Sequence, residues 1–91
     1  MLGQEPTEAI VSRVIRVIAE TQKLPLEMVT IDKTFEELKI DSLDGINIVF
    51  ALESEFKLDV PDEAMREILS VRAAAEGIEK LLAQKQAAAG S

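Results

Sequence analysis

A serine lies between two aspartates in the segment KIDSLDG, residues 39–45, directly before the apolar run INIVFAL. A serine hydroxyl becomes a nucleophile when a neighbouring base removes its proton, and histidine most often supplies that base. The sequence contains no His, lacks the Gly-x-Ser-x-Gly turn of many hydrolases, and offers only Lys39 as a nearby amine. We therefore expect Ser42 to have no catalytic role and the chain not to be an enzyme.

The pair Asp44-Gly45 could instead belong to a calcium loop, in which glycine occupies the sixth position. In that register the first and twelfth positions fall on Ile40 and Ala51, whose side chains cannot coordinate calcium. The absence of both Cys and His also excludes ordinary zinc sites. We expect no metal site.

The residues around Ser42 have the composition of a helix N-terminus. Asp41 or Ser42 could accept hydrogen bonds from free backbone N–H groups, and Asp44 would complement the positive end of the helix dipole. The same helix end suits a phosphate attached to Ser42. Two interpretations therefore remain, a purely structural helix start and a serine that another enzyme modifies.

Composition indicates the kind of domain that must position this serine. The 91 residues suffice for one domain, and because 47% are apolar but only 3% aromatic, helices packed on helices are favoured. The net charge of −7 argues against nucleic acid and favours basic protein surfaces as partners. No apolar run approaches the roughly 20 residues that span a bilayer, and the N-terminus has no basic stretch before an apolar one. We expect a cytoplasmic protein without a membrane span.

Apolar residues recur at helical spacing in three long segments and one short segment. The first helix should follow a Thr7 cap and end near residue 21, and the second should span Ser42 to Phe56. A short helix should follow Pro61, and Ser70 should cap the last one. The predicted fold class is all-α, a four-helix bundle of three main helices and one short helix.

A long loop should connect the first and second helices, because residues 22–41 follow neither helical nor strand periodicity. Thr34 and Glu37 within it have the spacing of a capping box. Four apolar side chains should hold this loop to the core: Leu24, Val29, Phe35 and Leu38. We expect residues 1–6 to be a flexible lead-in, residues 7–85 the domain, and residues 86–91 a flexible tail.

The second predicted helix has two apolar stripes. One should face the core and contains Ile48, Val49, Leu52 and Phe56. The other lies roughly opposite and contains Leu43, Ile46 and Phe50. An apolar stripe that points away from the core commonly marks a docking surface, unless the short helix after Pro61 covers it.

Several short motifs surround Ser42 in a fixed order within FEELKIDSLDGINIVFALESEFKLDVPDEAMREILSV: Phe-x-x-Leu, Asp-Ser-Leu, Leu-Glu-x-Glu-Phe and Val-Pro-Asp-Glu. In this order, on an acidic chain of this length, they resemble the acyl carrier proteins, and the similarity extends from SRVIRVIAE to SVRAAAEGIEKLL. The resemblance implies that Ser42 accepts 4′-phosphopantetheine from coenzyme A through a phosphopantetheinyl transferase. The thiol of this arm would carry acyl groups as thioesters, which the bundle often shelters.

The resemblance also implies a partner surface for the transferase and for enzymes that load, condense or transfer acyl groups. Basic residues of those partners would meet the acidic second helix, and the second apolar stripe would form the apolar part of the contact. The expected partner-binding residues are Asp41, Leu43, Asp44, Ile46, Asn47, Phe50 and Glu53. We expect the carrier to be a monomer.

Some residues depart from the family pattern. Lys39-Ile40 stands where many members have a Gly, and Asn47 and Ser54 are uncharged, which weakens the acidic face that housekeeping fatty acid carriers present. A carrier for polyketides or an unusual lipid therefore stays open, as does a peptidyl carrier that bears aminoacyl groups. A different alternative is an unmodified acidic helical adaptor that docks partners through Leu43, Ile46 and Phe50.

Overall fold

The computed structural model describes residues 7–90, with side chains described for residues 7–85. Its four α-helices are α1 (Glu8–Gln22), α2 (Ser42–Phe56), α3 (Asp62–Glu67) and α4 (Val71–Gly90), and a single 3-10 turn, Leu26–Met28, lies in the long loop. Within residues 7–90 the only β-type pairing is an isolated bridge between Thr34 and Ser70. The prediction of three main helices, one short helix and a long first loop is confirmed.

The core lies where α1, α2 and α4 meet. α1 packs against both other helices, and each helix contributes fully buried apolar residues such as Ile18, Leu52 and Ile78. Burial of one such side chain stabilises the fold by about 1.5–3 kcal/mol relative to exposure. The loop residues predicted to contact the core are buried or half-buried: Leu24, Val29, Phe35 and Leu38.

Three helical turns end at a lysine with left-handed backbone geometry: Lys23, Lys39 and Lys57, with φ of 57°, 61° and 55°. The residue after each lysine is apolar and donates its N–H to the carbonyl five residues earlier, at 2.9, 2.9 and 3.2 Å. This is the Schellman arrangement, in which glycine usually occupies the lysine's position because it has no Cβ. Each lysine therefore ends a helical turn and directs the next apolar side chain toward the core.

Backbone hydrogen bonds tie the long loop to the segment between α3 and α4. The N–H of Phe35 donates to the carbonyl of Leu69 at 2.9 Å, and the N–H of Val71 donates to the carbonyl of Lys33 at 3.0 Å. The hydroxyl of Ser70 accepts the N–H of Ala73 at 3.0 Å, which confirms it as the cap of α4. The loop therefore has a fixed position relative to the start of α4.

Thr34 and Glu37 form the predicted capping box, which closes a single turn of the loop. The N–H of Thr34 donates to Glu37 Oε1 at 2.8 Å, and the N–H of Glu37 donates to Thr34 Oγ1 at 3.1 Å. The pKa of Glu37 is lowered chiefly by the hydrogen bond from the backbone N–H of Thr34. Desolvation opposes this effect, and the hydroxyl of Thr34 and the charge of Lys33 lower the pKa further.

Acidification should weaken this turn. Since the pKa of Glu37 is lower in the folded state, its carboxylate stabilises the fold above the unfolded pKa, and this stability is lost as the pH falls through the folded pKa. Glu37→Gln lacks the titrating group, so its melting temperature should lie below that of the wild type at neutral pH and converge with it in acid. Melting curves recorded side by side test this, and parallel pH profiles would contradict it.

The start of α1 differs from the sequence prediction, and part of each chain end lies outside the described residues. Thr7 occupies the N-cap position of α1, but its side chain makes no capping hydrogen bond. The predicted lead-in, residues 1–6, lies outside the described residues, as does Ser91 of the predicted tail, whereas residues 86–90 continue α4 as helical backbone. No helix within the described part of the chain is both long and apolar enough to cross a bilayer.

Candidate functional site

Ser42 is the first residue of α2, and its side chain is exposed. The preceding residue, Asp41, is the N-cap, and its Oδ1 accepts the N–H of Asp44 at 2.9 Å. This resolves the choice between Asp41 and Ser42 as capping residue. The hydroxyl of Ser42 is thus not used to end the helix and points to solvent beside the positive end of the α2 dipole.

The turn before Ser42 fixes where α2 begins. Lys39, in the left-handed conformation, donates its N–H to the carbonyl of Glu36 at 3.0 Å, and Ile40 donates to Phe35 at 2.9 Å. The side chain of Ile40 is buried, although it was not assigned to the core from sequence. With Ile40 anchored, Asp41 reaches its capping position and Ser42 is presented outside the core.

Lys39→Gly should stabilise the protein by about 0.5–1 kcal/mol, because a residue with a Cβ is strained at positive φ whereas glycine is not. Urea unfolding monitored by circular dichroism measures the change. Lys80→Gly is the matched control, since Lys80 is an exposed residue in the helical backbone of α4. There the same substitution should destabilise by up to about 1 kcal/mol. Equal effects at both positions would contradict the assigned role of the Lys39 turn.

A groove of about 560 Å³ opens directly beside Ser42. It lies between the start of α2 and the preceding turn on one side and α3 with the segment after it on the other. Its apolar lining consists of Phe35, Ile40, Gly45, Ile46, Met65, Ile68 and Leu69. Its polar lining consists of Glu36, Asp41, Ser42, Asp62 and Arg66. We call this the α2/α3 groove.

The apolar stripe of α2 opposite the core is exposed as predicted. The exposed fractions of Leu43, Ile46 and Phe50 are 71%, 37% and 55%. Ile46 lines the α2/α3 groove, but α3 does not cover the stripe. On the other face Ile48, Val49, Leu52 and Phe56 are buried, so the assignment of the two stripes is confirmed.

The polar residues expected at the partner surface have different environments. Asp41 and Asn47 are exposed and Asp44 is half-buried. Glu53 differs most, because its Oε2 accepts the N–H of Val60 at 2.7 Å and thereby holds the segment that leads to α3. Sequence reasoning missed this structural use of Glu53, since the contact joins residues on different elements.

The α3 side of the groove adds residues that sequence reasoning did not assign to the site. Arg66 places a cation at the groove, where the expected partner surface was otherwise acidic or neutral. Leu69 is 66% exposed whereas Ile68 is buried, because the chain turns after α3 and only Ile68 enters the core. The apolar spacing of Met65, Ile68 and Leu69 is a sequence signal for this side of the site. It does not show which of these side chains are buried and which stay exposed in the groove.

These side chains can receive a group but cannot activate one. The chain has no His, and within the described residues no base contacts the hydroxyl of Ser42. An exposed hydroxyl at a helix N-terminus suits a phosphodiester, and the neighbouring apolar groove suits an aliphatic group. The arrangement therefore fits a serine that carries a phosphate-linked arm.

Comparison with known proteins identifies the family. The profile of the phosphopantetheine attachment site matches residues 12–78. The chain is 41% identical to an acyl carrier protein of Rickettsia bellii over 63 residues, 68% of this chain and 73% of the relative. It is 40% identical over 68 residues to a mitochondrial acyl carrier protein of Dictyostelium discoideum, 75% of this chain but only 57% of that relative.

The fold leads to the same group of proteins. The crystal structure of an acyl carrier protein from Thermotoga maritima superposes with a TM-score of 0.74 at 30% identity, covering 85% of this chain and 91% of that chain. The phosphopantetheine attachment profile covers both the loop before Ser42 and all of α2 and α3. This chain belongs to the acyl carrier protein family, whose members are carriers rather than catalysts and whose cofactor is phosphopantetheine.

Proposed function

We propose that Ser42 is the attachment point of the 4′-phosphopantetheine arm and that the chain carries acyl groups as thioesters on it. The observation that supports this best is the exposed hydroxyl of Ser42 at the N-terminus of α2, beside the α2/α3 groove. In the attachment step a phosphodiester forms at Ser42 Oγ, the phosphoanhydride bond of coenzyme A breaks, and adenosine 3′,5′-bisphosphate leaves. A phosphopantetheinyl transferase must take up the hydroxyl proton, because no described side chain is hydrogen-bonded to the Ser42 hydroxyl.

We further propose that partner enzymes dock on the exposed stripe of α2, with Asp41, Asp44 and Asn47 around it. The three apolar side chains supply a contact without any rearrangement of the bundle. Individual exposed ion pairs with basic partners contribute little, at most about 1 kcal/mol each, but together they orient brief encounters. Glu53 would contribute less to partner binding than its charge suggests, because one of its carboxylate oxygens already accepts the N–H of Val60.

We propose that the acyl groups belong to fatty acid, polyketide or specialised lipid synthesis. The Arg66 cation and the neutral Asn47 distinguish this surface from a uniformly acidic one, which favours partners adapted to this carrier. Peptidyl carriage is the alternative within the class. The relatives come from a mitochondrion and a bacterium, so a mitochondrial location is proposed beside a cytoplasmic one.

The adaptor hypothesis is a second candidate, because the exposed Leu43, Ile46 and Phe50 could dock a partner without any arm.

The test is intact mass before and after incubation with coenzyme A and a broad-specificity phosphopantetheinyl transferase. A carrier gains the mass of one phosphopantetheine, and peptide mapping places it on Ser42. If the folded, unmodified protein gains no mass with several such transferases, the adaptor becomes the better explanation.

A further inference from the structure

Arg66 differs from the other arginines in having no acidic partner within the described part of the chain. Each of the others lies within ion-pair distance of a carboxylate: Arg13 and Arg16 of Glu55, and Arg72 of Asp32. No described side chain forms a hydrogen bond or an ion pair with Arg66. This includes Asp62, although it lies one helical turn earlier, at a spacing that permits such a pair. The guanidinium of Arg66 is therefore available to a group that the chain acquires.

Arg66 also has a defined place relative to Ser42, because both residues line the α2/α3 groove. Ser42 lies on the α2 side of this groove and Arg66 on the α3 side. Among the described residues that line the groove, Arg66 is the only basic one, whereas Glu36, Asp41 and Asp62 are acidic. An anion that forms between α2 and α3 therefore has one cation available to it.

The proposed arm on Ser42 brings its only charge to this place. Its phosphodiester is bonded directly to Ser42 Oγ and is anionic at neutral pH, whereas the pantetheine portion is neutral. The N-terminus of α2 favours the negative charge, but Asp41 and the other groove carboxylates oppose it. A guanidinium can donate two parallel hydrogen bonds to phosphate oxygens, so Arg66 has both the charge and the shape that the group requires.

A contact of this kind would also hold α3, which has little else to fix it. No residue of α3 (Asp62–Glu67) is buried, and the nearest buried side chain, that of Ile68, follows the helix. Segments with few buried contacts open at the lowest free energy. A bond from Arg66 across the groove would add a link between α3 and α2 that exists only after the arm is attached.

We propose that Arg66 binds the phosphodiester at Ser42 and thereby joins α3 to the start of α2 in the modified protein only. This rests on the proposed attachment at Ser42. Arg66 is then a positioning residue for the arm, and the local stability of α3 reports whether the arm is present.

Two measurements on the apo and holo proteins test the proposal: the phosphorus NMR shift of the phosphodiester, and hydrogen exchange at the amides of Met65 and Ile68, whose N–H groups are bonded within this segment. Arg66→Gln should move the phosphorus resonance of the holo protein and remove its dependence on salt, since salt screens the ion pair. In the holo proteins, exchange should be up to about fivefold faster in Arg66→Gln, the size of one exposed ion pair. In the apo proteins, exchange should be equal.

Two further variants separate the contact from a general effect of charge. Arg66→Lys should restore part of both signals, because an ammonium keeps the charge but not the paired hydrogen bonds. Arg16→Gln is the matched control, since it removes the same charge from α1, where Arg16 lies 3.8 Å from Glu55. It should leave the phosphorus shift and the exchange of α3 unchanged.

An identical phosphorus shift, or identical exchange, in holo wild type and holo Arg66→Gln would overturn the proposal. Faster exchange in apo Arg66→Gln would overturn it as well, because Arg66 would then support α3 without the arm. If the mass spectrum shows no arm on Ser42, the proposed function has failed separately.

The contact can be tested even then, because the chain contains no Cys and Ser42→Cys supplies a single thiol. Its thiolate displaces methanesulfinate from a methanethiosulfonate reagent, which leaves a sulfonatoethyl or a neutral hydroxyethyl group in disulfide linkage at residue 42. Slower exchange at Met65 and Ile68 with the sulfonate than with the neutral group, lost on Arg66→Gln, would support the anion contact. Equal exchange with the two groups would overturn it.

Discussion

Replacing Leu52 with alanine is expected to lower the free energy of unfolding by about 2–5 kcal/mol. Leu52 has an exposed fraction of 0% and lies on the α2 face that packs into the bundle core. The substitution removes apolar contacts and leaves a cavity that a close-packed interior fills only partly. Urea unfolding monitored by circular dichroism gives the change directly.

Phe50→Ala is the matched control, because Phe50 lies two residues earlier on the same helix but on the exposed stripe. It should change the free energy of unfolding by at most about 1 kcal/mol, although it removes the larger side chain. It should instead slow acyl transfer to a partner enzyme, which a coupled transfer assay measures. A neutral Leu52→Ala together with a costly Phe50→Ala would mean that the two stripes of α2 have been assigned to the wrong faces.

The helices could be predicted because their signals are local. The apolar spacing of α2 distinguishes its buried and exposed faces, and Pro61 and Ser70 mark the starts of α3 and α4. The position of Ser42 at the helix start follows from the same local signals. The resemblance of the surrounding motifs then indicated the family before any contact was known.

Features that depend on contacts between elements could not be predicted. A lysine gives no sequence signal for positive φ, so the three Schellman turns could not be predicted from the sequence. The burial of Ile40, which follows one of these turns, could not be predicted either. The bond of Glu53 to Val60 and the α2/α3 groove arise only when α2, α3 and the long loop are brought together. For that reason the predicted partner surface was drawn from Asp41 and α2 alone and did not include Arg66, which lines the α2/α3 groove.

The position of Asp41 as the N-cap allows attachment and stability to be separated at adjacent residues. Asp41→Ala should cost about 0.5–2 kcal/mol, because the N–H of Asp44 loses its acceptor. Asp41→Asn should preserve most of this stability, since asparagine caps as well as aspartate. Any slower attachment in Asp41→Asn would then report recognition of the charge by the transferase.

Ser42→Ala should abolish the mass gain from coenzyme A completely while changing the free energy of unfolding by no more than about 0.5 kcal/mol. The reason is that Ser42 is exposed and its hydroxyl serves neither as cap nor as core contact, whereas alanine is a good residue for the first turn of a helix. Intact mass and urea unfolding of the same preparation measure both quantities. A variant that still gained the arm would place attachment elsewhere, and one that failed to fold would make Ser42 a structural residue rather than the site of modification.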